Sequence, residues 1–296
     1  MAKQESSVPV LREMLQNANP TSMLYHATTR ALVTIGGESA GDCLLENYRK
    51  RKSKMSADQK SGAILAFAML KYAPAVREAE ETLKIDPEIF YWEGSIVFGL
   101  FDEVGVPLLC EKLGDPNGLV RTNALNAIKF MMPDSELVSQ TLIKRLVVEK
   151  DPEIRYQMIE GLDWNLMARG EKGRKELMEL FRKLLKSEDK DSVAATFMRE
   201  TLETKGVVPR ELRASFHPNA AKFEAAYKAL LDKGVCLGAH QQAASDVIYC
   251  ATLKDVPKLR ELRRRALYRQ SDECLNDYRR LTQGIFRVLL CAPAAK

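Results

Sequence analysis

The 296-residue chain has no run of 18 or more apolar residues, so no membrane-spanning helix is expected. Its first residues, Met1 to Ser7, are polar and lack the apolar core of a signal peptide, which points to a cytoplasmic protein. Histidine is scarce: His26, His217 and His240 are the only three. Cys236 and His240 are four residues apart, but no Cys-x-x-Cys pair or further ligand set accompanies them. A metal centre is therefore not expected, and no cofactor is. Nothing sets a base or an oxyanion hole beside a cysteine, so no catalytic residue is assigned and a non-enzyme is the favoured reading. The glycines of Gly36-Gly37-Glu38-Ser39-Ala40-Gly41 lack the Lys-Ser/Thr of a phosphate loop and read as a helix stop and turn. Aromatic residues are only 7% of the chain, and no stretch alternates in the manner of a strand.

What remains is a helix-forming mixture of Leu, Ala, Lys, Glu and Arg, with 46% hydrophobic and 29% charged residues, which fits a folded domain. The six cysteines sit mostly in apolar helical contexts such as Pro107-Leu108-Leu109-Cys110 and read as buried free thiols. The net charge of +5 is unevenly placed. From Ala251 to Lys296, 11 basic residues face 5 acidic ones, a surplus of +6, so the preceding 250 residues sum to −1. A second basic cluster is Arg49-Lys50-Arg51-Lys52-Ser53-Lys54.

Helical periodicity runs through the chain. Met23 to Gly36 ends in Ala27, Ala31, Leu32 and Ile35 on one face and stops on Gly36, a glycine cap. A second helix follows around Asp42 to Arg49. The segment Ala63 to Leu70 is apolar on most sides and predicts a buried helix. Helix-start signals recur at Asp86-Pro87, Asp115-Pro116 and Asp151-Pro152, where Asp caps and Pro suits the first turn. Gly206, Pro209, Pro218 and Asn219 break the pattern, and helices resume from Ala220. The division expected is a repeat array over 1–204, an irregular linker over 205–219 and a helical continuation or cap over 220–296.

Two stretches align 34 residues apart. Val120-Arg121-Thr122-Asn123-Ala124-Leu125-Asn126-Ala127-Ile128 matches Ile154-Arg155-Tyr156-Gln157-Met158-Ile159-Glu160-Gly161-Leu162. A self-match at this period marks a stacked repeat array. The aliphatic-Arg pair followed by small residues resembles HEAT repeats, in particular the bacterial subtype of phycobilin lyases. The resemblance covers about residues 19 to 190. It implies an all-α fold, a right-handed α-solenoid of about seven HEAT-like helix pairs, and it carries no chemistry.

In that subtype the helix opened by the aliphatic-Arg pair lines the concave face. Carried onto this chain, the outward positions are Tyr91, Trp92 and Ser95, then Thr122, Asn123 and Asn126, then Tyr156, Gln157 and Glu160. They imply a scaffold that binds a protein or peptide partner in its groove. An alternative is nucleic-acid binding through a basic C-terminal face of Lys258, Arg260, Arg264 and Arg265, opposite an apolar stripe of Leu259, Leu262 and Ala266. HEAT-like alkylpurine DNA glycosylases offer a comparison through Trp164, Asp163 and Arg155, although the first 250 residues supply no positive groove. A third reading is an accessory subunit of a lyase-type enzyme.

Overall fold

In a computed structural model, residues 5–84, 98–131, 135–204, 217–233 and 241–267, with Asp277, Arg280, Leu281, Gly284, Ile285 and Val288, are described. Every regular element among them is helical. The chain divides into two compact units, Met1–Ala127 and Ile128–Lys296.

The first unit begins with α1 (Val8–Asn17), α2 (Met23–Ile35), α3 (Gly37–Arg51) and α4 (Ala57–Leu70). The start and stop signals are local and strong. Ser22 caps α2 by accepting from the Tyr25 amide. Gly36, at φ +75°, ends α2, and its amide donates to the Leu32 carbonyl. The glycine-rich run is not a longer turn, because Gly37 already opens α3 and Gly41 lies within it. Ser56 and Gln59 form a capping box at α4, the buried helix anticipated from its all-round apolarity. A run of 3-10 turns, Ala73–Lys84, packs on α4, and α5 (Val106–Lys112) follows.

Helix α6 (Gly118–Met131) carries the boundary between units. It starts later than the Asp115-Pro116 signal: Asp115 accepts from the Asn117 amide, and Asn117 in turn caps Leu119. The second unit continues with α7 (Glu136–Leu146), α8 (Pro152–Ala168), α9 (Gly170–Leu184) and α10 (Val193–Glu203). Asp151 caps α8 as its sequence implies, accepting from the amides of Glu153 and Ile154 with Pro152 in the first turn. Helix α8 packs against α7, α9 and α10. Then α11 (Ala220–Lys233) pairs with α12 (Gln241–Cys250), and α13 (Val256–Leu267) completes the order. Phe223, Leu230, Val247, Leu259 and Leu281 belong to one buried cluster, against which Trp164 packs.

Polar contacts recur at a nearly constant sequence separation. In the first unit Arg12 pairs with Glu46, Arg49 with Glu78, and Arg77 with Glu111. In the second, Lys129 pairs with Glu160, Arg155 with Glu188, and Lys258 with Glu224, while the Tyr227 hydroxyl donates to Glu261. These separations run from 29 to 34 residues. Buried asparagines make cross-segment contacts of their own. Asn47 donates to the Leu15 carbonyl, Asn123 to Leu83 and Asn165 to Ser135.

Candidate functional site

The residues expected to form binding rungs are largely occupied within the fold. Tyr91, Trp92 and Ser95 lie outside the described residues. Thr122 and Asn126 are half-buried. Asn123 is not at the surface: its side chain is fully buried, and its amide donates to the Leu83 carbonyl over 2.8 Å. That helix face meets a backbone whose carbonyl needs a donor, which overrides an outward placement.

On α8, Tyr156 sets its ring edge against Phe197 of α10 at 5.8 Å. Burial, then the nearby carboxylates of Glu160, Glu153 and Glu200, push the phenol pKa up. Gln157 donates to Glu153 one turn back over 3.0 Å. Glu160 holds the Lys129 ammonium at 2.7 Å. Three of the nine expected contact residues are thus committed to neighbours on this one helix.

The repeat arginines cap loops rather than reach outward. One Arg121 nitrogen donates to the Asp115 and Pro116 carbonyls. Arg155 donates to the Leu146 and Glu149 carbonyls and binds Glu188 with its other edge. A guanidinium suits this task because its donors are fixed in a plane. Trp164 is engaged with the C-terminal cluster. Asp163 beside it is half-buried, and burial followed by the Glu160 charge lifts its pKa to about 7. Arg155, Asp163 and Trp164 therefore answer to packing.

The basic face of α13 is likewise largely compensated. Lys258 pairs with Glu224 and lies over the Phe223 and Tyr227 rings, 5.9 and 5.4 Å from their centres. Arg265 binds Glu261 at 2.7 Å. Arg260 is half-buried, and the Arg264 side chain lies outside the described set. Arg263 joins the apolar stripe of Leu259, Leu262 and Ala266 and is fully buried. Its place was readable from spacing alone, since Leu259 and Arg263 are four residues apart on one helix face.

The surface feature missed in the sequence lies on α7 and in the turn that follows it. Leu137, Ile143, Val147 and Val148 are exposed by 45%, 38%, 83% and 62%. Leu137 and Ile143 lie on α7, away from the buried Val138, Leu142 and Leu146, and Val147 and Val148 follow in the turn after its last residue. Gln140 and Lys144 are exposed on the same side of α7 as Leu137 and Ile143. The signal was present: seven aliphatic residues between Leu137 and Val148 are more than one buried face can hold.

Among the described residues, no group of three or more metal-ligating side chains occurs, and no helix is long and apolar enough to cross a membrane. Cys43, Cys110 and Cys250 are buried free thiols. The pair Cys236 and His240 lies outside the described residues.

No family model matches the sequence, and no curated protein matches it. Among solved structures, an engineered protein from a structural genomics programme is 15% identical. The match covers 95% of this chain and 78% of that chain, at a TM-score of 0.30.

Proposed function

We propose that the protein is a non-catalytic interaction module built from tandem HEAT-like helix pairs, and that its partner is another protein. Contacts recurring at 29 to 34 residues support the repeat part of this reading, because stacked copies of one helix pair place equivalent positions side by side. The exposed aliphatic face of α7 carries the functional part. Single exposed apolar residues are ordinary on a protein surface, but four along one short helix and the turn that closes it are the composition of a contact patch. This moves the expected contact from the rungs of α8, whose Tyr156, Gln157 and Glu160 are engaged internally, to the helix before it. The nucleic-acid alternative draws little support from α13, where Glu224 and Glu261 neutralise Lys258 and Arg265.

The test is charge insertion. Val147→Glu and Ile143→Glu change exposed side chains, so both variants should keep the wild-type helical spectrum and urea midpoint. A partner recovered at stoichiometric amounts by the wild type should be lost from both. Equal recovery by all three proteins would sink the assignment to α7.

A further inference from the structure

The basic run 49–54, the densest positive segment of the chain, is sorted by the fold into different tasks. Arg51 turns inward and donates to the Ala18 and Gln16 carbonyls at the end of α1. Lys54 stays at the surface. Arg49 and Lys50 instead line an open cleft of about 610 Å3 together with Arg12, Asp42, Leu45 and Glu46. That volume lies in the range of small-molecule sites.

The charges in and around this cleft are shared unequally. Glu46 accepts from both Arg12, at 2.8 Å, and Lys50, at 2.6 Å. Glu78 accepts from both Arg49, at 2.7 Å, and Lys52, at 3.1 Å. Each carboxylate thus answers two cations. Asp42 is the third acid, and Tyr72 donates its hydroxyl to it. The cleft lining itself carries three cations, Arg12, Arg49 and Lys50, against two carboxylates, Asp42 and Glu46. The elements are positioned by packing rather than by the charges. Gly41 lets the Tyr72 ring lie against α3, because a Cβ at that position would overlap the ring. The Arg12 charge also lies near the buried Cys43 thiol. The floor is the buried side chain of Leu45.

We propose that this cleft binds a compact, multiply charged phosphate group, of the diphosphate class, between Arg12, Arg49 and Lys50. Two guanidinium planes and an ammonium suit phosphoryl oxygens, the guanidiniums by paired donors and the ammonium as a point charge. The bound anion takes the half-share of each cation that Glu46 and Glu78 leave uncompensated. Asp42 limits the affinity by repulsion. The inference is independent of the α7 surface and of any protein partner.

Inorganic pyrophosphate is the probe, titrated calorimetrically into the whole chain at low salt, with inorganic sulfate and orthophosphate as comparisons. Saturable one-to-one binding is expected, tighter for pyrophosphate than for either single anion. Arg12→Gln and Arg49→Gln should each weaken it by about tenfold, the loss of one charge-assisted contact. Lys54→Gln should leave it unchanged, and Asp42→Asn should strengthen it. A urea midpoint measured on each variant separates loss of binding from loss of fold. The proposal fails if pyrophosphate gives no saturable signal. It fails equally if Arg12→Gln and Arg49→Gln leave the affinity unchanged, or if sulfate binds as tightly.

Discussion

The Lys71 ammonium lies 3.0 Å from the Asp102 carboxylate, and both residues hold a left-handed backbone with φ of +50°. Lys71 ends α4 in this conformation, and its amide donates back to the Ala68 and Phe67 carbonyls. The Asp102 side chain is 1% exposed. Two residues that disfavour positive φ are thus joined by an ion pair with one member buried. The pair secures both bends at once, linking the end of α4 to the turn before α5.

Backbone and charge can be separated at position 71. Lys71→Gly removes the ammonium and relieves the left-handed strain, whereas Lys71→Ala removes the ammonium and keeps the strain. The alanine variant should be less stable than the glycine variant by about 1 kcal/mol, the cost of a left-handed conformation in a residue with a Cβ. Urea denaturation of the two proteins measures the gap. Equal midpoints, or a more stable alanine variant, would show that the bend at residue 71 is not left-handed.

The buried asparagines lead to a second expectation. Asn123 and Asn165 each give an amide proton to a main-chain carbonyl on another segment, Leu83 and Ser135. Truncation leaves that acceptor without its donor. Asn123→Ala and Asn165→Ala should each cost about 1–3 kcal/mol, the range for an orphaned buried polar group. Asn123 was expected to meet a partner at the surface. If Asn123→Ala leaves the urea midpoint unchanged, the clamp is not formed.

These cases mark how far the sequence could be read. Gly36 and Asp151 were legible because a cap is satisfied by backbone within a few residues. The buried helix around Phe67 was legible because its apolarity goes all the way round. Asn123 was not, because the direction it faces depends on where the Leu83 carbonyl comes to lie, and that segment is 40 residues away. Tyr156 looked like a surface anchor for the same reason: Phe197, its ring partner, belongs to another helix. Periodicity tells which positions share a stripe. It does not tell which stripe a neighbouring helix will cover, and Leu137 and Ile143 of α7 stay uncovered.

Asp163 should make stability depend on pH. Burial, and then the Glu160 charge, raise its pKa from 3.8 to about 7. The folded chain therefore holds this proton where the unfolded chain has released it. Stability from this group is full below the unfolded value and declines as pH rises towards 7. Asp163→Asn removes the titration. The variant should gain on the wild type by about 1–3 kcal/mol at pH 8 relative to pH 4, with the partial solvent access of the carboxyl keeping the figure modest. Urea midpoints of both proteins at the two pH values decide it. A gap that does not change with pH would place Asp163 in water.

A double-mutant cycle tests the contact that shapes the phosphate cleft. Gly41 lies inside α3, where alanine is ordinarily the better helix former by up to about 1 kcal/mol. Here the preference should reverse, because the added methyl meets the Tyr72 ring. Gly41→Ala alone should destabilise the chain by about 1–3 kcal/mol, the usual cost of overpacking. In a Tyr72→Ala background the clash is gone, and the same substitution should be neutral or mildly stabilising. The two effects must therefore be non-additive, as expected for residues in direct contact. Additive midpoints across the cycle would mean that the ring does not lie on Gly41, and Asp42 would then lose the hydroxyl that Tyr72 is positioned to give it.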